Sequence, residues 1–261
     1  MRFAVNIPPF TDATTIVELA VEAEAAGWDG VFLWDHLQFM AGAHLTIHDP
    51  WVLLGAIATK TERVRLGTLV TPLARRRPQV VAKHVTTLDH LSGGRVVLGV
   101  GLGSPPDADF AAFGDESDDV KRAAILDDRL PAVAAMLAGG DVTHHGKHTH
   151  IDAELLPASV QRPRPPIWVA AVAPHRRPLM RATRWDGVVP IGLPEGVMRP
   201  DAIASYLHGV ARPEPWDVVA PWCPGVAPDD YAAVGVTWLI ESTWPENDWV
   251  TDFRTRIRNG P

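Results

Sequence analysis

Cysteine, excess positive charge and long apolar runs are all scarce in this sequence. Cys223 is the only cysteine, which excludes an internal disulfide and a thiolate metal cluster. Lysine and arginine number 24 against 31 aspartate and glutamate residues, a formal net charge of −7, so neither a nucleic acid nor an anionic membrane is an expected partner. No apolar run approaches the ~20 residues that cross a bilayer, and the start at Met1 lacks signal-peptide features. The cytoplasm is therefore the expected location.

Short runs rich in valine, isoleucine and leucine recur along the 261 residues and alternate with helical patterns. Several runs are apolar at every position, which is typical of parallel strands covered by helices. The predicted strands are residues 3–7, 30–34, 64–70, 96–101, 167–171, 187–191, 218–221 and 236–240. This alternation predicts an α/β fold, a (β/α)8 TIM barrel. A doubly wound open sheet is the alternative, but the first strand lacks the Gly-x-Gly-x-x-Gly that a dinucleotide fold carries there.

Two segments interrupt the regular alternation. Residues 103–119, rich in proline, glycine and aspartate, predict a long loop after the fourth strand. Residues 139–166 predict a small hairpin inserted before the fifth barrel strand. Near the amino terminus, Thr15 and Glu18 predict a capping box at the start of the first helix. We expect a single TIM-barrel domain over residues 1–261.

Functional residues of a (β/α)8 barrel lie at the carboxyl ends of its strands and in the loops that follow. Asp35 and His36 directly follow the second predicted strand. A histidine exchanges protons near neutral pH, and a neighbouring carboxylate can orient it. Two interpretations stay open from these residues alone. Either the pair is catalytic, or Asp35 caps a turn and His36 contacts solvent.

A metal-dependent hydrolase is a further alternative, because histidines cluster in the predicted insertion: His144, His145, His148 and His150. The cluster lies outside the barrel strands, and no cysteine accompanies it. The first strand ends in Asn6-Ile7-Pro8, without the His-x-His of metal-dependent barrel hydrolases. A solvated hairpin is the favoured interpretation, and no metal site is predicted.

Three further patterns are consistent with ligand binding. The segment Gly99-Val100-Gly101-Leu102-Gly103-Ser104 allows a ligand or a neighbouring backbone to approach closely. The run Arg75-Arg76-Arg77 either holds phosphate or carboxylate groups or belongs to a solvated loop. Several tryptophans can supply a stacking surface for a flat ring, although each one by itself favours packing. They are Trp168, Trp185, Trp222, Trp238 and Trp244.

Ordered motifs extend over most of the chain. They are Ala23-Glu24-Ala25-Ala26-Gly27-Trp28-Asp29-Gly30-Val31, Trp34-Asp35-His36, Asp49-Pro50-Trp51, Thr61 to Leu73, Leu88 to Arg95, Pro165-Pro166-Ile167-Trp168-Val169 and Ala182 to Gly187. By their order and spacing, the chain resembles the luciferase-like superfamily of flavin- or deazaflavin-dependent oxidoreductases. The resemblance implies a TIM barrel that binds coenzyme F420, a deazaflavin, or FMN at its carboxyl-end mouth.

The resemblance also implies roles for individual residues. It places a non-proline cis peptide at Leu69-Val70 behind the cofactor ring, and His36 beside the reactive ring face with Asp35 orienting it. Relatives often carry Gly-Gly after the fifth strand for the cofactor phosphate, whereas this chain has Ala170-Ala171-Val172-Ala173. The implied cofactor-binding positions are Asn6, Leu69, Val70, Thr71, Gly101, Gly103, Ser104, Ala171, Val172, Ala173, Arg176 and Arg177.

The predicted function is hydride transfer between the cofactor and a small organic substrate. The motif Trp34-Asp35-His36 favours coenzyme F420 over FMN. An FMN-dependent monooxygenase acting with a separate flavin reductase is one alternative. A catalytically inactive flavin-binding protein is another, favoured by the altered Ala171-Val172 stretch and opposed by the retention of Asp35-His36. The resemblance further implies a homodimer.

Overall fold

The computed structural model describes residues 1–194 and 196–261. Eight of its strands are parallel and close into a barrel, and two further strands form a separate antiparallel hairpin. The strands are β1 (Arg2–Ile7), β2 (Gly30–Leu33), β3 (Arg65–Pro72), β4 (Val96–Gly101), β5 (Gly140–His145), β6 (His150–Leu155), β7 (Ile167–Val172), β8 (Gly187–Ile191), β9 (Asp217–Pro221) and β10 (Trp238–Ser242).

Helices connect successive barrel strands. They are α1 (Ala13–Ala25), α2 (Pro50–Ala58), α3 (Pro78–Leu91), α4 (Asp119–Ala138), α5 (Arg176–Ala182), α6 (Pro200–Leu207), α7 (Pro228–Ala233) and α8 (Trp249–Asn259). Around the barrel the strands follow the order β1, β2, β3, β4, β7, β8, β9, β10, and β10 closes on β1. The predicted (β/α)8 barrel is therefore confirmed, with every predicted strand within two residues of its observed bounds.

The core has two layers because side chains alternate between the two faces of each strand. On β4, Val97 points into the barrel while Val96 and Leu98 pack against the surrounding helices. The barrel interior is filled by large apolar groups: Ala4, Phe32, Val97, Trp168, Val189, Val219, Trp238 and Ile240. These groups fill the interior of the barrel and leave no space for a ligand there. A ligand site at the carboxyl ends of the strands therefore lies above this packed interior.

Two local predictions about the tryptophans and the first helix need correction. Trp168 and Trp238 are 1% exposed and pack against each other inside the barrel, with ring centroids 5.3 Å apart, so they supply no stacking surface. The capping box at Thr15 is wrong, because α1 begins at Ala13 after Asp12. Both Asp12 and Thr15 are residue types that precede helices, and their local sequence does not choose between them.

The two predicted interruptions are present. After β4 comes a long loop that contains one short 3-10 helix, Ala111–Phe113, before α4 begins. The insertion before β7 contains the hairpin of β5 and β6, which packs beside α4. Of the helices in the described ranges, none combines the length and the apolar character that crossing a bilayer requires.

Candidate active site

The carboxyl ends of the barrel strands open into a cavity of about 2570 Å³. Its apolar base contains Val189 and Ile240 of the barrel interior, together with Leu69, which packs against that interior. Its walls come from the loops after β2, β4, β7, β8, β9 and β10 and from α4. Because the strands are parallel, the loops that follow them all lie at this one end of the barrel, where functional residues of such barrels are found.

Most of the predicted site residues line this cavity. They are Asn6, Asp35, His36, Leu69, Val70, Gly103, Ser104, Val172, Arg176 and Arg177. Four others are absent from its wall: Thr71, Gly101, Ala171 and Ala173. Thr71 and Ala171 are fully buried, Thr71 with its hydroxyl 2.7 Å from that of Thr68 and Ala171 in the layer between strands and helices. Strand alternation directs Ala171 away from the cavity, since its neighbours Ala170 and Val172 line it. Thr71 follows two consecutive cavity residues, Leu69 and Val70, where the pairing of β3 with β4 shifts in register.

His36 is held by a carboxylate from a distant part of the chain. Its Nδ1 lies 3.2 Å from Oδ2 of Asp109, in the loop after β4. The other oxygen of Asp109 accepts hydrogen bonds from the backbone amides of Leu37, at 2.6 Å, and Gln38, at 3.2 Å. Asp109 therefore fixes both the imidazole and the turn that carries it.

Asp109 is ionised in this setting. Burial by itself raises the pKa of its carboxyl, but the hydrogen bond from His36, the charge of Arg75 and the amide of Leu37 outweigh burial, and the pKa is lowered. An ionised carboxylate can only accept a hydrogen bond, so the proton of the neutral imidazole of His36 is on Nδ1, facing Asp109. The lone pair of the ring is then on Nε2. His36 lines the cavity with its side chain 14% exposed, which makes Nε2 available to a ligand.

Asp35 does not orient His36, contrary to the sequence prediction. Its Oδ1 instead accepts from Nη2 of Arg76 at 2.6 Å and from Nη2 of Arg75 at 3.2 Å. Arg75 also lies 3.3 Å from Asp109, and Arg76 lies 3.2 Å from Asp49. Neighbours in sequence on a strand end point to different sides, so Asp35 faces the arginines while His36 meets Asp109.

The arginine run after β3 therefore binds the protein's own carboxylates. Arg75 and Arg76 contact Asp35, Asp49 and Asp109, which leaves one net negative charge in the network when His36 is neutral. A proton taken up by the imidazole makes the network neutral. Because the side chains of Asp35 and Asp109 are fully buried, removal of one partner of such an ion pair costs about 3–5 kcal/mol.

The turn after β7 differs from the predicted phosphate cradle. The amide of Ala173 donates to the carbonyl of Ile191 at 2.9 Å and is not available to a ligand. Burial raises the pKa of Tyr206 to about 12, and its hydroxyl donates to the carbonyl of His175 at 2.7 Å. Arg176 donates to the carbonyl of Tyr206 at 2.8 Å. The amide of Ala173 is therefore unavailable to a phosphate, while the side chains of Arg176 and Arg177 line the cavity.

The family-model comparison matches the description luciferase-like monooxygenase over residues 1–245. The chain belongs to the luciferase-like monooxygenase family. The family match agrees with the barrel that the sequence motifs implied.

Curated relatives of this luciferase-like chain include F420-dependent glucose-6-phosphate dehydrogenases. The protein from Amycolatopsis mediterranei is 36% identical over 164 residues, which is 61% of this chain and 48% of the relative. The protein from Beutenbergia cavernae is 42% identical over 137 residues, 51% of this chain and 40% of the relative. The matches thus span less than half of either relative's length.

Solved structures show the same luciferase-like fold. The coenzyme F420-dependent tetrahydromethanopterin reductase from Methanopyrus kandleri has a TM-score of 0.76 at 17% identity, with 99% of this chain and 98% of that chain covered. An F420-dependent secondary alcohol dehydrogenase, solved with an F420-acetone adduct, has a TM-score of 0.75 at 16% identity, with 98% and 97% covered. At such identities the likeness concerns the fold.

The cis peptide of β3 and the histidines of the hairpin are two further local features of the structure. The Leu69–Val70 peptide is cis, as the resemblance implied. In the hairpin, His144 lies 3.3 Å from Asp128, and His145 lies 2.8 Å from Asp152. Over residues 1–194 and 196–261, no group of three or more histidine, cysteine, aspartate or glutamate side chains has the arrangement of a metal site.

Sequence reasoning missed Asp109 and Phe39, both of which contact His36. Asp109 lies in a loop with several other aspartates and no local pattern distinguishes it. Phe39 follows the Trp34-Asp35-His36 motif by three residues, so its nearness to His36 was the one available signal.

Proposed function

We propose that the protein is a coenzyme F420-dependent oxidoreductase that moves a hydride between the deazaflavin and a small organic substrate. The observation that carries this proposal is the pair of His36 and Asp109 at the wall of the cavity, which leaves Nε2 of His36 as a proton acceptor facing the ligand space. The naming of several relatives as F420-dependent dehydrogenases supports the choice of cofactor.

The residues present fit a deazaflavin. Oδ1 of Asn6 is buried in the cavity wall without a hydrogen-bond partner among the described residues, and a ring N–H donor would satisfy it. Leu69 and Val70 supply apolar surface for the flat ring. Arg176 and Arg177 supply positive charge for the phosphate in place of the Gly-Gly amides.

When bound, the deazaflavin supplies a two-electron acceptor or donor of hydride. His36 acts on the substrate: as an alcohol loses its carbinol hydrogen with the electron pair, Nε2 of His36 accepts the hydroxyl proton and a carbonyl forms. Asp109 keeps Nδ1 protonated throughout and stabilises the resulting imidazolium. In the reverse direction the imidazolium returns the proton to the carbonyl oxygen.

The first experiment is a titration of the purified protein with coenzyme F420 and, separately, with FMN, followed by cofactor fluorescence. We expect micromolar binding of F420 and much weaker binding of FMN. Tight binding of FMN alone would instead support the monooxygenase, acting with a separate flavin reductase. Binding of neither cofactor would contradict the proposal.

Replacement of His36 by alanine tests the mechanism. We expect His36→Ala to lower kcat by about 10²–10⁴-fold, the usual contribution of general acid–base catalysis, with the dissociation constant for F420 unchanged within threefold. Steady-state reduction of F420 gives kcat, and fluorescence titration gives the binding constant. His208→Ala is the control, since His208 is exposed at the end of α6, away from the cavity. Equal turnover in parent and His36→Ala would contradict the assigned role.

A further inference from the structure

Three aromatic side chains beside His36 form one wall of the cavity. Trp34, Phe39 and Trp244, here called the aromatic wall, have ring centroids 5.6–5.9 Å from one another. The imidazole of His36 lies 5.1 Å from the ring of Phe39 and 5.9 Å from that of Trp34. Phe10, buried behind them, packs against Phe39 at 5.5 Å.

The aromatic wall leaves apolar surface open to the cavity. Trp244 is 50% exposed and Met40, which also lines the cavity, is 54% exposed. The rings are tilted or edge-on to one another, so both ring faces and ring edges can contact a compact apolar ligand. The rings carry no charge of their own. A ligand whose reacting group meets Nε2 of His36 covers this surface with the part next to that group. An apolar part there gains binding free energy from burial of apolar surface.

The charges around the aromatic wall oppose an anionic ligand. Glu241 forms an ion pair with Arg256. Glu246 is exposed in the cavity wall near Trp244 and forms no ion pair among the described residues. The carboxylate network behind His36 adds a further net negative charge. A phosphate group placed here would meet the carboxylate of Glu246, while the guanidinium of Arg256 is already paired with Glu241.

Positive charge lies on the other side of the barrel. Arg176 and Arg177 line the cavity after β7, and β7 stands four places from β1 in the eight-strand ring, directly opposite. The aromatic wall follows β2 and β10, the two neighbours of β1. The cofactor phosphate and the substrate thus have separate sectors of one cavity.

We infer that the substrate is an uncharged alcohol or ketone with a cyclic or aromatic body, bound between Trp34, Phe39 and Trp244, and not a sugar phosphate. The inference rests on the proposed function. In the oxidation, the carbinol C–H bond breaks with its electron pair leaving as hydride for the deazaflavin, the O–H proton goes to Nε2 of His36, and the C=O bond of the ketone forms.

Calorimetric titration with cyclohexanone measures binding without turnover, because a ketone has no hydride to give to the oxidised cofactor. We expect F420-loaded protein to bind cyclohexanone at millimolar concentration or below, and glucose 6-phosphate at least tenfold more weakly. Phe39→Ala and Trp244→Ala should each weaken cyclohexanone binding, and raise KM for cyclohexanol, about tenfold. The affinity for F420 should stay within threefold of the parent.

Phe113→Ala is the matched control, since Phe113 is 54% exposed on the 3-10 helix and absent from the cavity wall. It should bind cyclohexanone as the parent does. Glucose 6-phosphate binding more tightly than cyclohexanone, or wall variants with parental KM and affinity, would overturn the inference. If F420 fails to bind, the proposed function fails, while cyclohexanone binding to the cofactor-free protein that depends on Phe39 still upholds the aromatic wall as the ligand site.

Discussion

At the scale of single residues, the buried carboxylate of Asp109 joins the candidate chemistry to the stability of the fold. It accepts hydrogen bonds from His36 and from the backbone of Leu37, and it forms an ion pair with Arg75. The residue that positions the imidazole is thus also one that holds the loop after β4 against the loop after β2. A change here should affect the proposed catalysis and the folding together, and the two effects need separate measurements.

Asp109→Asn should make the free energy of unfolding less dependent on pH. Because the pKa of Asp109 is lowered in the folded protein, its ionised form stabilises the fold above the ordinary carboxyl pKa near 4, and this contribution is lost as the pH falls through the lower folded value. We expect the variant to be less stable by about 3 kcal/mol at pH 7. The difference should shrink below about pH 4. Urea unfolding at pH 7, 5 and 3.5 measures it.

Asp141→Asn is the control for this series, since Asp141 is exposed on the hairpin strand β5. It should leave the free energy of unfolding at pH 7 unchanged. A difference between the parent and Asp109→Asn that stays constant or grows in acid would show that the ionised carboxylate of Asp109 does not stabilise the fold.

At the scale of elements, glycines decide how closely β3 and β4 approach beneath the cavity. A Cβ at Gly99 would overlap the backbone carbonyl of Thr68 and come within 2.8 Å of Leu69. A Cβ at Gly101 would lie 2.6 Å from Val70. The backbone that presents Leu69 and Val70 to the cavity therefore depends on the missing side chains of its neighbouring strand.

Gly99→Ala should destabilise the barrel, because the clash is with backbone rather than with a movable side chain. We expect the free energy of unfolding to fall by about 3 kcal/mol, the upper range for overpacking a core. Gly55→Ala provides a matched comparison, since a Cβ at Gly55 in α2 meets no atom within 4 Å. It should raise stability by about 0.5–1 kcal/mol through helix propensity. Urea unfolding monitored by circular dichroism distinguishes them, and equal effects would contradict the packing argument.

At the scale of the whole molecule, barrel closure places a cationic and an aromatic sector on opposite sides of one cavity. Arg176 and Arg177 follow β7, whereas Trp34 and Trp244 follow strands beside β1. A ligand with an anionic tail and a flat ring can place its tail against the cationic side and its ring towards the aromatic side.

The homodimer, the cytoplasmic location and the single domain over residues 1–261 stay predictions.

Coenzyme F420 should stabilise the whole protein by binding the folded chain alone. At a free concentration 100 times the dissociation constant, such binding adds about 2.7 kcal/mol to the free energy of unfolding. For a chain of this size that corresponds to a rise in Tm of roughly 5–10 °C, measured by differential scanning calorimetry. FMN at the same concentration is the control and should shift Tm by much less. An equal or larger shift with FMN would contradict the proposed preference.

The barrel and much of its mouth were predictable from the sequence alone. Apolar runs such as residues 96–101 predict buried parallel strands, and parallel strands place Asn6, His36 and Val70 at one end of a barrel. The ordered motifs also identified the luciferase-like family and the cis peptide at Leu69–Val70. These features were accessible because each depends on residues near one another in the chain.

Only the tertiary structure decided which groups act on one another in the cavity. Asp109 reaches His36 across 73 positions of sequence, and Trp244 reaches Trp34 across the closure of the barrel. Asp35, although adjacent to His36, faces Arg76 instead. Such partnerships depend on where loops of different strands meet, and on which face each side chain occupies. Local patterns determine the strands, whereas packing between distant loops determines the chemistry of the site.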